Sequence, residues 1–274
     1  MQILRTIQEL KAWRKALNTN DIGFVPTMGA LHNGHASLIQ KATNENSAVI
    51  VSIFVNPKQF LAGEDYTQYP RKEQADLAMA KGCGASACFL PSEDEFYSGD
   101  DTLISASKEL ASVLEGQIRP GHFDGVCRVL NKFFNLIKPQ RAYFGQKDAQ
   151  QLLIVQKMVK DFFIDIEIKA CQIVREADGL AISSRNAYLN EAELLEALKL
   201  SRALKKAKSL IDLGTLSSAE IKKAIKEILE PLEIDYIAIT DKNLIARDNV
   251  VLDNTLILLA VRVGKTRLID NIWV

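Results

Sequence analysis

Fold class follows from one segment, residues 22–55, which reads IGFVPTMGALHNGHASLIQKATNENSAVIVSIFV. It starts with a short apolar run, Ile22 to Pro26, and ends with a β-branched run, Ala48 to Val55, of the kind that forms buried parallel strands. Loop-forming residues from Gly29 to Gly34 and a helical stretch from Ala36 to Thr43 separate the two runs. The segment therefore predicts a βαβ unit.

Helices and strands continue to alternate after this unit. Residues 149–162 have one apolar helical face, and the isoleucines Ile164, Ile166 and Ile168 alternate as in a strand. Such alternation predicts an α/β protein with a Rossmann-like, doubly wound and mostly parallel sheet. We expect this sheet to occupy a first domain, residues 1–173.

The sequence pattern changes near Val174. An apolar helical face extends from Leu200 to Ile211, and a second helix starts at a Ser217 cap and stops before Pro231. Short apolar runs joined by Asp, Asn and Gly turns follow, as is typical of antiparallel strands. The expected strands are residues 234–240, 250–252, 256–263 and 267–273. These features predict a smaller C-terminal α+β domain, residues 174–274.

Composition excludes several classes of partner. The chain has 274 residues with 34 basic and 34 acidic side chains, so no overall positive field favours nucleic acid or an anionic membrane surface. Its strongest late apolar run, Leu256 to Val261, is too short to cross a bilayer. We therefore expect a cytoplasmic protein with no nucleic-acid or membrane partner, and any anion site must be local.

The four cysteines, Cys83, Cys88, Cys127 and Cys171, form neither a CxxC pair nor a cluster with zinc spacing. Four cysteines in a chain this long do not make a disulfide framework. We expect reduced, structural thiols without a catalytic role.

All three histidines, His32, His35 and His122, stand in glycine-flanked segments instead of apolar faces. The first two belong to an HxGH sequence where the first strand passes into its helix, and there the backbone amides and the helix end favour a phosphate. Gly34 allows close approach of the backbone, and the imidazoles can donate to phosphate oxygens. An HxGH sequence can also arise by chance, with histidines that only cap the helix.

The residues around this motif resemble the pantothenate synthetase family, within the HxGH nucleotidyltransferase superfamily. The resemblance rests on ordered blocks at residues 26–35 (PTMGALHNGH), 51–60 (VSIFVNPKQF), 69–71 (YPR), 115–125 (EGQIRPGHFDG), 144–151 (FGQKDAQQ) and 175–186 (READGLAISSRN). A weaker match covers Leu268 to Asn271. The family commonly reads GEKD where this chain has Gln146, which puts any role of a carboxylate at that position in doubt.

The resemblance implies a set of residues that bind ATP. They are Met28, Gly29, His32, Gly34, His35, Gly145, Lys147, Asp148, Val174, Ile182, Ser183, Ser184 and Arg185. Four of these, His35, His32, Lys147 and Arg185, are expected to be catalytic because they can stabilise the charge that builds on the phosphate oxygens. Read alone, the Ser-Ser-Arg triplet is an ordinary polar loop.

A second set is implied for pantoate and β-alanine: Gln59, Gln151, Asn56, Arg119 and His122. Read alone, Asn56 with Pro57 is a turn signal, Gln59 an exposed loop residue and Arg119 a surface charge. The resemblance also places Asp76 near magnesium and the phosphates, although by itself Asp76 is typical of a solvated charge on a helix.

The family's activity implies an ATP-dependent ligase that joins pantoate to β-alanine through an acyl adenylate, with Mg²⁺ bound to ATP. The first domain is then expected to bind nucleotide and pantoate, the second to act as a lid, and the protein to form a homodimer. One alternative is another HxGH nucleotidyltransferase, which would move AMP onto a phosphate acceptor. A different alternative is a non-catalytic nucleotide-binding homologue, with Gln146 as an early sign of drift.

Overall fold

Six parallel strands form the main sheet of the computed structural model, which describes residues 1–274. In chain order they are β1 (Gln2–Leu4), β2 (Ile22–Thr27), β3 (Ala48–Ile53), β4 (Ala87–Phe89), β5 (Arg141–Gly145) and β6 (Glu167–Cys171). Their order across the sheet is β1-β4-β3-β2-β5-β6, and every neighbouring pair is parallel. The predicted α/β class with a parallel sheet is confirmed.

Eight helices accompany these strands along the chain. They are α1 (Ile7–Ala16), α2 (Asn33–Glu45), α3 (Glu73–Gly82), α4 (Glu93–Phe96), α5 (Lys108–Ala111), α6 (Leu114–Ile118), α7 (His122–Ile137) and α8 (Ala149–Asp161). The long α7 has a continuous apolar face because buried side chains recur along it at helical spacing.

Both faces of the sheet are covered, as expected for a doubly wound fold. Leu38 and Ile39 of α2 pack with Val25 and Val51 of the strands in one apolar cluster. The other cluster is aromatic and includes Phe133 of α7, whose ring centroid lies 5.4 Å from that of Phe24 and 4.7 Å from that of Phe96. The sheet is therefore a buried platform for the loops at its ends.

The strand order reverses between β2 and β5, because β3 and β4 follow on one side of β2 and β6 follows β5 on the other. In open parallel sheets, ligands bind outside the carboxyl ends of the strands at such a switch point. The HxGH segment follows β2 and the GQKD segment starts at the end of β5, so both motifs of the sequence belong to strand ends at this point.

Contacts divide the chain into two units, residues 1–145 with 151–171 and residues 146–150 with 172–274. The second unit contains α9 (Glu191–Asp212), α10 (Ser218–Leu229) and an antiparallel sheet of β7 (Glu233–Thr240), β8 (Leu256–Val263) and β9 (Thr266–Trp273). Leu204 and Ile225 of the helices pack on Leu259 of the sheet in its core. The predicted domain limits, residues 1–173 and 174–274, stay a prediction.

Three details differ from the expected elements. Residues 250–252 form no strand, and β1 was not anticipated because it is only three residues long. Strand β6 starts at Glu167 instead of Ile164, because Phe163 has a φ of +53° and the Ile164 N–H donates to the Val159 carbonyl at 2.9 Å, which closes the end of α8. Among the helices, none is both long and apolar enough to cross a membrane.

Candidate active site

The turn between β2 and α2 carries the HxGH residues. His32 is the N-cap of the 13-residue α2, with an extended backbone at φ −139° and ψ 178°. The backbone amides at the start of a helix of this length point toward its N-terminal end and favour an anion there. The fold therefore presents the HxGH residues at a position suited to phosphate.

Hydrogen bonds assign the tautomers of both histidines. The Gly34 N–H donates to Nδ1 of His32 at 3.1 Å, and the His32 N–H donates to Nδ1 of His35 at 3.3 Å. Because each Nδ1 is an acceptor, each neutral imidazole carries its hydrogen on Nε2. Both histidines therefore cap the helix through Nδ1. With Nδ1 used as an acceptor, the Nε2–H group of each ring is a hydrogen-bond donor.

Gly34 is required by the closeness of these groups. A Cβ at this position would lie 2.9 Å from Cε1 of His32, and the ring centroids of His32 and His35 are 4.1 Å apart. Glycine thus lets the two imidazoles lie side by side, tilted by 37°, at the first turn of the helix, where both can serve one anion.

Asp76 of α3 lies against the same turn. Its Oδ2 accepts the Ala30 N–H at 2.9 Å and its Oδ1 accepts the Leu31 N–H at 2.7 Å. The side chain is 2% exposed, so the interpretation of Asp76 as a solvated helix charge is wrong. Burial raises the pKa of Asp76, and the two backbone hydrogen bonds oppose that rise only in part.

The second group of predicted residues surrounds a 3-10 turn, Pro57–Gln59, at the end of β3. Asn56 caps this turn: its Oδ1 accepts the Lys58 N–H at 3.2 Å and its Nδ2 donates to Oε1 of Gln59 at 2.9 Å. The hydroxyl of Tyr97 donates to the same Oδ1 at 2.7 Å. The buried Asn56 therefore fixes the side chain of Gln59. Tyr97, which in turn holds Asn56, is a residue that the sequence did not single out.

Gln59 connects this turn to the HxGH segment. Its Nε2 contacts Sδ of Met28 at 3.1 Å, and the residue is only 8% exposed. Gln59 by itself is expected to be an exposed loop residue. That expectation is wrong, because the hydrogen bond from the buried Asn56 holds the Gln59 side chain inside the protein. Met28 and Gln59 thus bring the two predicted groups of the first unit into contact.

Gly125 of α7 allows the helix to touch this turn. Its carbonyl accepts from Nδ2 of Asn56 at 3.1 Å, and a Cβ on Gly125 would lie 2.1 Å from the Lys58 carbonyl oxygen. Any side chain at this position would force α7 or the turn to shift. The RPGHFDG block therefore ends in a glycine for a packing reason that sequence spacing does not reveal.

Arg119 and His122 both contact the backbone of Gln59. His122 Nδ1 lies 2.7 Å and Arg119 Nη2 3.3 Å from the Gln59 carbonyl oxygen. Arg119 also forms a two-pronged ion pair with Glu64, at 2.6 Å and 2.7 Å. Burial favours a higher pKa for Glu64, yet the hydrogen bonds from Arg119 and from the Leu61 amide lower it. Arg119 is therefore a paired, half-buried charge that braces Gln59.

His122 is a neutral member of this network. Burial, with the charge of Arg119, lowers the pKa of His122 to about 4. Because Nδ1 faces a carbonyl it carries the hydrogen, and Nε2, 3.1 Å from Nη1 of Arg119, is the acceptor. The contacts of His122 therefore fit a residue that holds the Pro57–Gln59 turn, the amide turn, in place.

In the second unit, residues 146–148 form a 3-10 turn held by Asn271 of β9. Nδ2 of Asn271 donates to the carbonyls of Gln146 and Lys147 at 2.9 Å and 2.8 Å. Lys147 Nζ lies 3.6 Å from Asp148. The weak sequence match near Leu268 to Asn271 thus contains the residue that supports the Lys147 segment. The Gln146 carbonyl accepts its hydrogen bond from Asn271 through the backbone, so this contact does not depend on the side chain at position 146.

The Ser-Ser-Arg triplet belongs to another short turn of the second unit. Ser183 caps the 3-10 turn Ser184–Tyr188, and its Oγ accepts the Arg185 N–H at 3.3 Å. The preceding hairpin is held by Arg175, whose two Nη atoms bind the Asp270 carboxylate at 2.7 Å and 2.9 Å. These contacts order the triplet, although it reads as a plain loop in the sequence.

The remaining predicted residues lie apart from these contacts. Gln151 is half-buried near the start of α8, and Gly145 ends β5. A cavity of about 330 Å³ adjoins the HxGH turn and is bordered by Met28, Gly29 and Asp76. None of the five residues predicted for pantoate and β-alanine lines this cavity, so the assignment of those substrates rests on the amide turn.

All four cysteines are free. Burial raises the pKa of Cys88 and of Cys127 to about 12 and that of Cys171 to about 11. Thiols with such pKa values stay protonated and make poor nucleophiles. The prediction of structural cysteines agrees with the burial of these three, whereas Cys83 is half-buried.

Fold and turn together define a class: an α/β nucleotide-binding protein with an HxGH turn at the switch point of a parallel sheet. Within that class, the family model described as pantoate-beta-alanine ligase matches residues 2–273. The chain therefore belongs to the pantoate-β-alanine ligase family, as the sequence blocks predicted.

Curated relatives carry the name pantothenate synthetase. The protein from Campylobacter fetus subsp. fetus is 57% identical over 274 residues, and that from Helicobacter pylori strain 26695 is 50% identical over 277, each with 100% of both chains covered. The crystal structure of pantothenate synthetase from Thermus thermophilus has a TM-score of 0.95 at 42% identity, with 99% of each chain covered. That of pantoate-beta-alanine ligase from Francisella tularensis, complexed with beta-gamma ATP and beta-alanine, has a TM-score of 0.83 at 38% identity and covers 100% of this chain and 97% of its own.

Proposed function

We propose that this chain is the ATP-dependent ligase that condenses (R)-pantoate with β-alanine to pantothenate, with release of AMP and pyrophosphate. Family membership over residues 2–273 supports the reaction. The observation that carries the chemistry is the HxGH turn, where two Nε2–H donors stand at a helix N-terminus on the switch point of the sheet.

The proposed first step makes a leaving group. An oxygen of the pantoate carboxylate attacks the α-phosphorus of ATP, the bond to the bridging oxygen breaks, and pyrophosphate departs with that electron pair. His32 and His35 would donate to phosphate oxygens as negative charge builds there. Lys147, Ser183, Ser184 and Arg185 are assigned to ATP by the resemblance, and the turns that order them favour that assignment.

The proposed second step forms the amide bond. The unprotonated amine of β-alanine attacks the carbonyl carbon of pantoyl adenylate, AMP leaves, and the amine loses a proton. No covalent intermediate with the protein is needed. Gln59 and Gln151 would orient the small polar substrates, and the contacts of Asn56, Arg119 and His122 around Gln59 supply the rigidity that positioning requires.

Magnesium is proposed as part of the ATP complex. Mg²⁺ in ATP sites is bound mostly by phosphates and water and by one or two carboxylates. Among the described residues no group of three or more His, Cys, Asp and Glu side chains lies close enough to hold a metal. When bound, the ion would neutralise phosphate charge, and Asp148 beside Lys147 is an exposed carboxylate that fits a single contact.

The test follows the products. Purified protein is mixed with ATP, magnesium and pantoate, with and without β-alanine, and pyrophosphate, AMP and pantothenate are measured by mass spectrometry. AMP and pantothenate that form together only with β-alanine are the expected result. AMP transferred to a phosphate acceptor would favour another HxGH nucleotidyltransferase, and ATP binding without turnover would favour a non-catalytic homologue.

We further propose a division of labour between the two parts of the chain and a cellular location. Residues 1–173 would bind nucleotide and pantoate, and residues 174–274 would act as a lid. The protein would be cytoplasmic, where ATP is plentiful and thiols such as those of the four free cysteines stay reduced.

The partner that we propose for the protein is a second copy, paired through the edge strand β6. The Glu167 N–H donates to the Gln140 carbonyl at 2.9 Å, so Glu167, Lys169 and Cys171 direct their backbone groups toward β5. Ile168 and Ala170 direct theirs outward. An edge of this kind is a template for another strand.

Among antiparallel registers centred on Glu167, Ile168 or Lys169, the charges of β6 favour the one centred on Ile168. An antiparallel two-fold centred on Ile168 places Glu167 opposite the partner's Lys169, and Lys169 opposite the partner's Glu167. Centring on Glu167 or Lys169 would place like charges opposite each other, which is unfavourable. Glu167 and Lys169 lie on the same face of the strand, 2.6 Å apart at their charged atoms, as this pairing needs.

A further inference from the structure

We propose that Asp76 is a positioning residue that holds the turn before His32 in its phosphate-binding shape, and that it is not a magnesium ligand. The inference rests on the proposed function, since the turn matters for catalysis only if His32 and His35 serve ATP. It assigns a role to a carboxylate that the reaction itself does not use.

Two successive backbone N–H groups donate hydrogen bonds to the Asp76 carboxylate. Oδ2 lies 2.9 Å from the Ala30 nitrogen, and Oδ1 lies 2.7 Å from the Leu31 nitrogen. Gly29 and Ala30 both have positive φ, +85° and +50°. Successive backbone N–H groups of such a turn form a concavity that binds an anion. Here the protein fills it with its own side chain.

The turn needs this support. Ala30 occupies the left-handed region, which costs a non-glycine residue energy and persists only when its surroundings enforce it. The next residues along the chain are Leu31, whose N–H is the second donor to Asp76, and then His32. A change at the Asp76 contact is therefore passed to the N-cap of α2 within two residues.

Asp76 is poorly suited to magnesium for the same reasons. Each of its oxygens already accepts a backbone hydrogen bond, and although the residue borders the cavity beside the turn it is only 2% exposed. Mg²⁺ dehydrates reluctantly and keeps several waters, so a ligand has to reach it in an open site. A Cβ on Gly29 would lie 3.0 Å from Oδ2 of Asp76, which shows how closely the turn covers that oxygen.

The experiment compares D76N with E73Q. Asparagine keeps the shape of Asp76 but turns one acceptor into a donor that faces a backbone N–H. Glu73 is in the first turn of the same helix and pairs with Arg5 at 2.5 Å, so E73Q removes the same charge away from the HxGH turn. Two measurements are made on each variant: hydrogen exchange of residues 28–38 without ATP or metal, and adenylate formation as a function of magnesium concentration.

We expect D76N to accelerate exchange at Ala30 and Leu31 by about tenfold or more. Its kcat for adenylate formation should fall by roughly 100-fold, the scale of a displacement of about 1 Å in a positioning group. The magnesium concentration at half-saturation should stay as in E73Q. Loss of activity that saturating magnesium restores would instead make Asp76 a metal ligand and overturn the proposal, as would unchanged exchange in a folded D76N.

A third variant protects the test against a general folding defect. Ala30→Gly removes the penalty of the left-handed backbone, so A30G/D76N should recover several-fold of the activity lost in D76N. No recovery, with both proteins folded by circular dichroism, would contradict a role in holding the turn. If the wild type made no pantothenate, the proposed function would fail, while the exchange data would still decide whether Asp76 clamps the turn.

Discussion

Replacing Gly125 by alanine should move the Pro57–Gln59 turn without replacing a predicted substrate residue. Gly125 lies on α7, where a Cβ would stand 2.1 Å from the Lys58 carbonyl oxygen, 2.4 Å from its carbon and 2.7 Å from the Gln59 nitrogen. These are backbone atoms, so no flexible side chain can swing away. Either α7 or the Pro57–Gln59 turn must shift.

The size of the shift follows from these distances. Ordinary contacts between carbon and a carbonyl oxygen are about 3.3 Å or longer, so the turn has to retreat by about 1 Å. Overpacking of this kind costs about 1–3 kcal/mol of stability, which a protein of ordinary stability survives. A displacement of about 1 Å in a positioning group costs roughly 100-fold in rate. The kinetic effect should therefore exceed the loss of folded protein.

The assay is steady-state kinetics with pantoate varied at saturating ATP. We expect kcat/KM for pantoate in G125A to fall by roughly 100-fold while the thermal midpoint falls by only a few degrees. Gly82, at the end of α3, is the matched control because a Cβ there meets nothing within 4 Å. G82A should keep its kinetics. A folded G125A with kcat/KM like that of G82A would refute the placement of Gln59 at the pantoate site.

Three further predictions concern single side chains. H35A should slow pyrophosphate release by about 100- to 1,000-fold, because a preorganised donor to the phosphate is lost, and near-normal release would reject that role. Burial lowers the pKa of His122 to about 4. The unfolded chain therefore binds more protons between about pH 6.5 and 4, and the free energy of unfolding should fall as pH drops through that window and level off above it. In H122N that slope should shrink, and an unchanged slope in denaturant titrations would assign it to other groups. Finally, E167K should weaken self-association by roughly tenfold and E167K/K169E should restore it, as measured by sedimentation equilibrium, whereas equal association of all three proteins would place the interface elsewhere.

Local chemistry in the sequence was enough for the fold class and for the position of the HxGH turn. The β-branched run at Ala48 to Val55 and the apolar run from Ile22 are typical of buried parallel strands, and a glycine-rich segment between strand and helix favours a turn. The elements that the sequence misplaced are short or depend on partners. Strand β1 has three residues, and residues 250–252 form no ladder because the pairing with the segment before α10 stops after the Asn249–Ser217 bridge and the Val250–Leu216 hydrogen bond.

Tertiary structure alone decided which polar residues act as supports. Asp76, Tyr97 and Glu64 are ordinary polar residues in the sequence, and their contacts span from 41 to 55 positions along the chain. Hydrogen-bond partners at such separations are chosen by the strand order, which brings the ends of β2 and β3 and the start of α7 together, and no local pattern encodes that order. Sequence therefore determined which residues can do the chemistry, while the fold determined what holds each of them, because chemical type is a property of one residue and position is a property of the whole packed chain.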